Sequence, residues 1–160
     1  INVEGDAYSA NLIKEGGPAV NNMYLVTGYL LFLDADSGLP AVKLFNHWMN
    51  EADSNAQFTL QAVYGWAAAQ LFVQGLRAAG ASPTRASLLA ALSKITSFNA
   101  SGLLTPGNPA QNIPGGCVVL SQIQNGKVKR VSPSPSSGFI CTSAKLPAPG
   151  FKPEVRPASS

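Results

Sequence analysis

The stretch Thr59 to Gly80, TLQAVYGWAAAQLFVQGLRAAG, constrains this chain more than any other. Apolar or small side chains stand at Leu60, Ala62, Val63, Tyr64, Trp66 to Ala69, Leu71, Phe72, Val73 and Leu76. They cover nearly the whole circumference of a helix, so the pattern predicts one long helix packed on most of its faces. On such a helix Tyr64 and Trp66 read as core rather than pocket. The only charge, Arg77, falls in the last turn, where a cation suits the negative helix end, and Gly80 stands where a left-handed cap is expected. Gln61, Gln70 and Gln74 interrupt a run that would need about 20 mostly apolar residues to cross a bilayer, which argues against a membrane span.

A chain of 160 residues can build one domain with its own core, or be part of a larger molecule. Hydrophobic residues make up 46% and charged ones 12%, a balance that excludes disorder and predicts a globular chain. The net charge of +3 comes from 11 basic and 8 acidic residues, scattered apart from Lys127, Lys129 and Arg130. Without a basic stripe the chain has no nucleic-acid footprint.

The two cysteines, Cys117 and Cys141, lie outside any CxxC or Cys/His metal pattern. They are either two lone thiols or one disulfide. The disulfide is the favoured reading, because both flank strand-like residues and closing such a loop contributes about 3 kcal/mol. It would imply an oxidising compartment. The chain starts at Ile1 with neither a basic n-region nor an apolar h-region, so a start that has been lost or removed is expected.

In chain order, Ile1 to Val3 reads as a strand end broken by Gly5 and followed by a polar turn through Asp6, Tyr8 and Ser9, the place where α/β folds put ligand contacts. Ala10 to Glu15 is a short helix or turn. Met23 to Phe32 predicts a buried strand that runs on into a linker, with a bend or close backbone approach at Gly28. Pro40 opens a helix whose inward stripe is Val42, Phe45, Trp48, Met49 and Ala52. The only histidine, His47, falls with Lys43, Asn46 and Asn50 on the polar face and has no catalytic partner in view. Ser82 as cap and Pro83 in the first turn introduce Thr84 to Ile95, with Leu88, Leu89, Leu92 and Ile95 turned inward. Asn125-Gly126 predicts a tight hairpin between Val118–Ile123 and Val128–Val131. The four prolines of Leu146 to Ser160 predict an extended tail.

The strand MYLVTGYLLF, the helices of AVYGWAAAQLFVQGLRAAGASPTRASLLAAL, the SGLL segment at Ser101 to Leu104, and VVLSQIQNGKV stand in an order that resembles a known family. It is the C-terminal part of type I periplasmic binding proteins, the leucine/isoleucine/valine-binding branch of ABC-transporter substrate-binding proteins. The likeness covers nearly all of residues 1 to 145. YGWAAAQLF with two late cysteines is similar to receptors of actinobacterial type.

The resemblance implies a two-lobed α/β fold of which only the C-terminal part is present. Residues 1–28 would end the second lobe, 29–39 would cross the hinge, 40–145 would supply first-lobe helices and the C-terminal ribbon and hinge, and 146–160 would be the extended tail. The implied function is extracytoplasmic delivery of a small solute, an amino acid among the candidates, to an ABC permease. The implied partners are that solute, the permease and the upstream part of the same receptor. The implied place is periplasmic or on the cell surface, with a missing N-terminus as the site of a lipid anchor.

In the family an acidic residue at a second-lobe strand end accepts the solute's ammonium group, since a carboxylate in a closing cleft pairs with a cation at short range. Glu4 and Asp6 both fall near that position, and either is also the kind of residue a solvated turn contains. Tyr8 is expected on the same wall. Gln61 lies where the family often has a cleft-lining aromatic, which weakens the case for a branched aliphatic ligand. The sequence has no phosphate loop, GxSxG elbow or His-based triad, so a non-enzyme without cofactor is expected. The alternative is a ligand-free sensory or scaffold domain of the same fold.

Overall fold

The computed structural model describes residues 8–55, 57–133 and 138–141. The chain is α/β. Helix α1 (Ala10–Gly16) is followed by strand β1 (Tyr24–Thr27), then by three helices, α2 (Pro40–Ala52), α3 (Leu60–Ala79) and α4 (Arg85–Leu92). A loop region with short 3-10 turns leads to β2 (Cys117–Gln124), β3 (Lys127–Ser132) and the two-residue β4 (Ile140–Cys141).

Among the described residues all strand pairings are antiparallel. β2 lies between β1 and β3, with Leu25 opposite Ser121 and Ile123 opposite Val128, and a bulge between Leu120 and Ser121 shifts the second register. Alternation along β2 buries Val119, Ser121 and Ile123 on one side, as a sheet with one covered face requires. The Asn125-Gly126 turn has φ of 52° and 73°, the positive values that the sequence predicts for a tight hairpin. β4 pairs with the start of β2, Cys117 opposite Cys141, and the two sulfurs are bonded. Among the described residues no cysteine is free.

The expected strand Met23 to Phe32 is shorter than its composition suggests. Only Tyr24–Thr27 is strand; Gly28 leaves the ladder and the following backbone finds other partners. Thr105 N–H donates to the Gly28 carbonyl at 2.9 Å, Leu30 N–H to the Leu103 carbonyl at 2.9 Å, and Leu31 N–H to the Asp36 carboxylate at 2.9 Å. Buried polar backbone must be paired, and here loops and a side chain do what a neighbouring strand would. This segment carries Tyr29, Leu30, Leu31 and Phe32 into the centre of the core, between the sheet and the helices. Phe32 joins Tyr8 (ring centroids 4.6 Å apart), Tyr29 and Phe45, and Phe45 reaches Phe58 and Trp66.

The helices differ from their sequence reading at their outer faces. α3 begins after a Thr59 cap and ends before Gly80 at φ 96°, where the pattern places both ends. It is not packed all round, however: Leu60, Val63, Ala67 and Gly75 are buried, whereas Tyr64 is 55% and Phe72 50% exposed. α2 buries Val42 and Phe45 as expected but leaves Trp48 out, because one core can cover only about a third of a helix. α4 is capped by Thr84 rather than Ser82, through a reciprocal bond pair with Ser87, which places Pro83 outside the helix. Ala91 is buried, Leu88 and Leu92 are half-buried against Gly75 of α3, Leu89 is exposed, and Ile95 is buried just beyond the helix end. Among the described residues no helix is long and apolar enough to cross a membrane.

Candidate functional site

Four residues are expected to face a solute. Glu4 and Asp6 lie outside the described residues. Tyr8, which follows them, is 1% exposed, and its ring packs on Tyr29 and Phe32. Its hydroxyl accepts the Leu33 N–H at 2.8 Å, so the phenol is tied to the segment leaving β1. Burial pushes that phenol well above its ordinary pKa, the Leu33 bond only partly opposing the shift. Gln61 stands exposed in the first turn of α3, one turn before Tyr64. Tyr8 is thus buried with its hydroxyl bonded to the segment that leaves β1, and Gln61 is open to solvent.

Among the open grooves that border α3, two lie beside its first and middle turns. The first, about 450 Å³, is lined by Gly28, Tyr64, Phe98, Leu104, Thr105 and Asn108 among others, so it lies where the chain leaves β1. Its wall is tight: a Cβ on Gly115 would fall 1.7 Å from the Thr105 hydroxyl oxygen. The second groove, about 740 Å³, runs along Trp66, Gln70 and Arg77 on one face of α3 and Ser97, Asn99 and Ser101 opposite. Ser101 donates to the Gln70 side-chain oxygen at 2.8 Å and thereby holds the 3-10 turn Ala100–Gly102 against the helix. Glycine, proline and aliphatic residues make up most of the first groove, whereas amides, hydroxyls and aromatic faces line most of the second, which holds one cation, Arg77. Such surfaces bind by shape and hydrogen bonding rather than by acid–base chemistry. His47, exposed beside Trp48 with ring centroids 5.1 Å apart, borders neither groove. Among the described residues no cluster of three or more His, Cys, Asp or Glu could hold a metal ion.

Asp36 and Arg130 meet in a buried pair that locks the segment after Gly28 to the hairpin. The only signal was an acidic pair, Asp34 and Asp36, in a stretch otherwise rich in apolar residues, and a single basic cluster on β3. Asp34 also serves this lock, accepting the Val128 N–H at 3.1 Å.

The fold has solved relatives. It is similar to a protein described as a possible leucine/isoleucine/valine-binding protein from Rhodopirellula baltica, with a TM-score of 0.62 and 19% identity over 78% of this chain and 33% of that one. It is also similar to a leucine-binding protein from Thermotoga maritima, with a TM-score of 0.59 and 22% identity over 87% of this chain and 37% of that one. A third is a branched-chain amino acid ABC transporter protein from Thermus thermophilus with bound valine, with a TM-score of 0.59 and 12% identity over 84% of this chain and 37% of that one. This chain therefore spans about a third of the length of these proteins. No curated protein matches the sequence. The periplasmic binding protein family model matches residues 2–127, most of the chain. The chain belongs to the periplasmic binding protein family.

Proposed function

We propose that this chain is the C-terminal part of an extracytoplasmic solute receptor, of actinobacterial type, that delivers an amino acid or similar small solute to an ABC permease. The family match over residues 2–127 carries the reading. In this proposal residues 1–28 end the second lobe, 29–39 cross the hinge, 40–145 supply first-lobe helices and the C-terminal ribbon, and 146–160 form the tail. The core position of residues 29–32, tied to the loop at Leu103, supports a crossing segment that transmits force instead of a loose linker. The receptor is periplasmic or displayed on the cell surface.

Glu4 or Asp6 takes the solute's ammonium group, Tyr8 holds that segment from the core, and Gln61 contributes a polar contact from the first-lobe side. Closure has to be driven by a ligand that touches both lobes, since contact with one lobe gives no differential affinity for the closed state. Titration calorimetry on the protein expressed from its complete natural reading frame, with a panel of amino acids, amides and aromatic acids, tests the reading. Replacing the correct carboxylate by Ala is expected to cost about 2–5 kcal/mol of binding, because the ligand's charge is left desolvated and unpaired. If Glu4→Ala and Asp6→Ala both bind the best ligand as the unmodified protein does, the ammonium assignment is wrong.

The second reading, a ligand-free sensory or scaffold domain, is favoured by one observation, the exposed apolar residues Tyr64, Phe72 and Leu89. Heat from no member of the solute panel is the outcome that would select it.

A further inference from the structure

Arg130 has one arm on the segment after Gly28 and the other beside the last strand. Its Nε and Nη2 donate to the Asp36 carboxylate, and Asp36 Oδ2 in turn accepts the Leu31 N–H. Its Nη1 donates to the Gly138 carbonyl at 2.7 Å and to the Pro133 carbonyl at 3.4 Å. The guanidinium side chain is buried, so an acceptor lost from Nη1 is not freely replaced by water. What holds Gly138 in place therefore bears on Asp36 and Leu31. Gly138 stands two residues before β4, whose ladder is only Ile140 opposite Val118 and Cys141 opposite Cys117. So short a pairing holds little by itself. Phe139 packs against the edge of the core, and the Cys117–Cys141 bond supplies a covalent tether. Cys141 is exposed and Cys117 half-buried, which leaves that bond within reach of an external thiolate.

We propose that the Cys117–Cys141 disulfide is a redox-sensitive latch on the segment after Gly28, acting through Gly138 and Arg130. While the bond is intact, the Gly138 carbonyl stays on Nη1 and the guanidinium stays forked on Asp36. A dithiol opens the latch. One of its thiolates attacks a cysteine sulfur and breaks the S–S bond, and its second thiolate displaces that cysteine from the mixed disulfide. The dithiol leaves as a disulfide, and the two cysteines take up its two electrons and two protons as thiols. Residues 138–141 then lose their tether, Nη1 loses its acceptor, and Asp36 holds the Leu31 N–H less firmly. The latch goes beyond the receptor reading and rests on these contacts alone. In the proposed receptor the same segment crosses the hinge, so the latch would set how freely the lobes move.

The test is hydrogen exchange at the Leu31 amide, read by NMR on the protein expressed from its complete natural reading frame, before and after treatment with dithiothreitol. A disulfide also supports the whole fold, so the reduced protein is compared with the oxidised protein in enough urea to equal its unfolding free energy. At that equal global stability the Leu31 N–H is expected to exchange more than about tenfold faster in the reduced protein, whereas amides in the middle of α3 exchange alike in both. Equal Leu31 rates overturn the proposal. In Arg130→Lys, which lacks the fork, the same comparison should differ by less than about twofold, and a persisting tenfold difference overturns the route through Arg130. If the reduced protein does not stay folded, the oxidised form supplies the measurement, because the bond is attacked faster the more often residues 138–141 lift from Arg130. Dithiothreitol should then reduce Arg130→Lys more than about tenfold faster than the unmodified protein in urea matched to the variant's stability, and equal rates overturn the latch. Calorimetry with free amino acids on the oxidised samples keeps the two readings apart. Solute binding with a Leu31 rate indifferent to reduction sinks the latch alone, and a responsive Leu31 without solute binding sinks the receptor reading alone.

Discussion

Arg130 and Asp36 stand 94 positions apart in sequence and form a two-point ion pair with side chains 3% and 0% exposed. The Arg130 Nε donates to Asp36 Oδ1 at 2.8 Å, and its Nη2 donates to Oδ2, which also accepts the Leu31 N–H. The remaining Nη1 donates to the Gly138 carbonyl at 2.7 Å. A guanidinium forks onto a carboxylate in this way, and an ammonium cannot. The pair holds the segment after Gly28 against β3, so it secures the stretch proposed to cross the hinge.

Breaking that pair from one side is expected to be costly. Arg130→Met leaves a buried carboxylate uncompensated and should destabilise by about 3–5 kcal/mol in urea unfolding. Arg130→Lys should recover only part of the loss, having no fork. The double variant Arg130→Met/Asp36→Leu should be less unstable than the sum of the singles, and a coupling below about 0.5 kcal/mol would show that the pair contributes nothing specific.

Tyr8 predicts an alkaline limit. Its folded pKa lies above the unfolded value of 10.0, so its stabilising effect is complete below pH 10 and is lost as pH rises toward the folded value. Stability should fall by about 1.4 kcal/mol per pH unit above pH 10 from this group. Tyr8→Phe should lack that component of the slope while losing about 1–3 kcal/mol at neutral pH, because the Leu33 N–H loses its acceptor. Unfolding curves at pH 8 to 11 that show the same slope for both proteins would refute the assignment.

The Cys117–Cys141 bond closes a loop with a sequence separation of 24. Loop-closure entropy puts its contribution at about 3.5 kcal/mol. Reduction, or Cys117→Ser with Cys141→Ser, should lower the urea midpoint accordingly. The denatured, unreduced protein should show no reactive thiol, and a titre of two would contradict the bond.

Gly75 sits where α3 meets α4, and a Cβ there would lie 2.6 Å from Leu92 Cδ2 and 3.0 Å from Leu88 Cδ1. Both are ends of flexible side chains. Gly75→Ala should therefore be close to neutral, the gain of about 1 kcal/mol in helix propensity offsetting the repacking. Gly75→Val drives a branched wedge into the same gap and should cost about 1–3 kcal/mol. Thermal melts that rank valine above alanine would contradict the contact.

The local punctuation of this fold was written in the sequence. Thr59 and Gly80 bound α3, Pro40 opens α2, Asn125-Gly126 turns the hairpin, and His47 stays on the outside, because caps, turns and periodicity depend on neighbours a few residues away. Tertiary structure decided the rest. The even apolar coverage of α3 suggests burial on every side, but which face is covered depends on what packs against it, and within these residues that is one side. The apolar run Met23 to Phe32 carries no mark of where its strand ends. Its backbone leaves the ladder at Gly28 because Leu103, Thr105 and Asp36 offer partners from distant parts of the chain. Tyr8 reads as a cleft residue from its place after a strand end, and its burial follows from Tyr29 and Phe32 closing over it. Arg130 and Asp36 were invisible as a pair for the same reason: a contact across 94 positions leaves no periodic trace, and only folding brings the two charges within reach of each other.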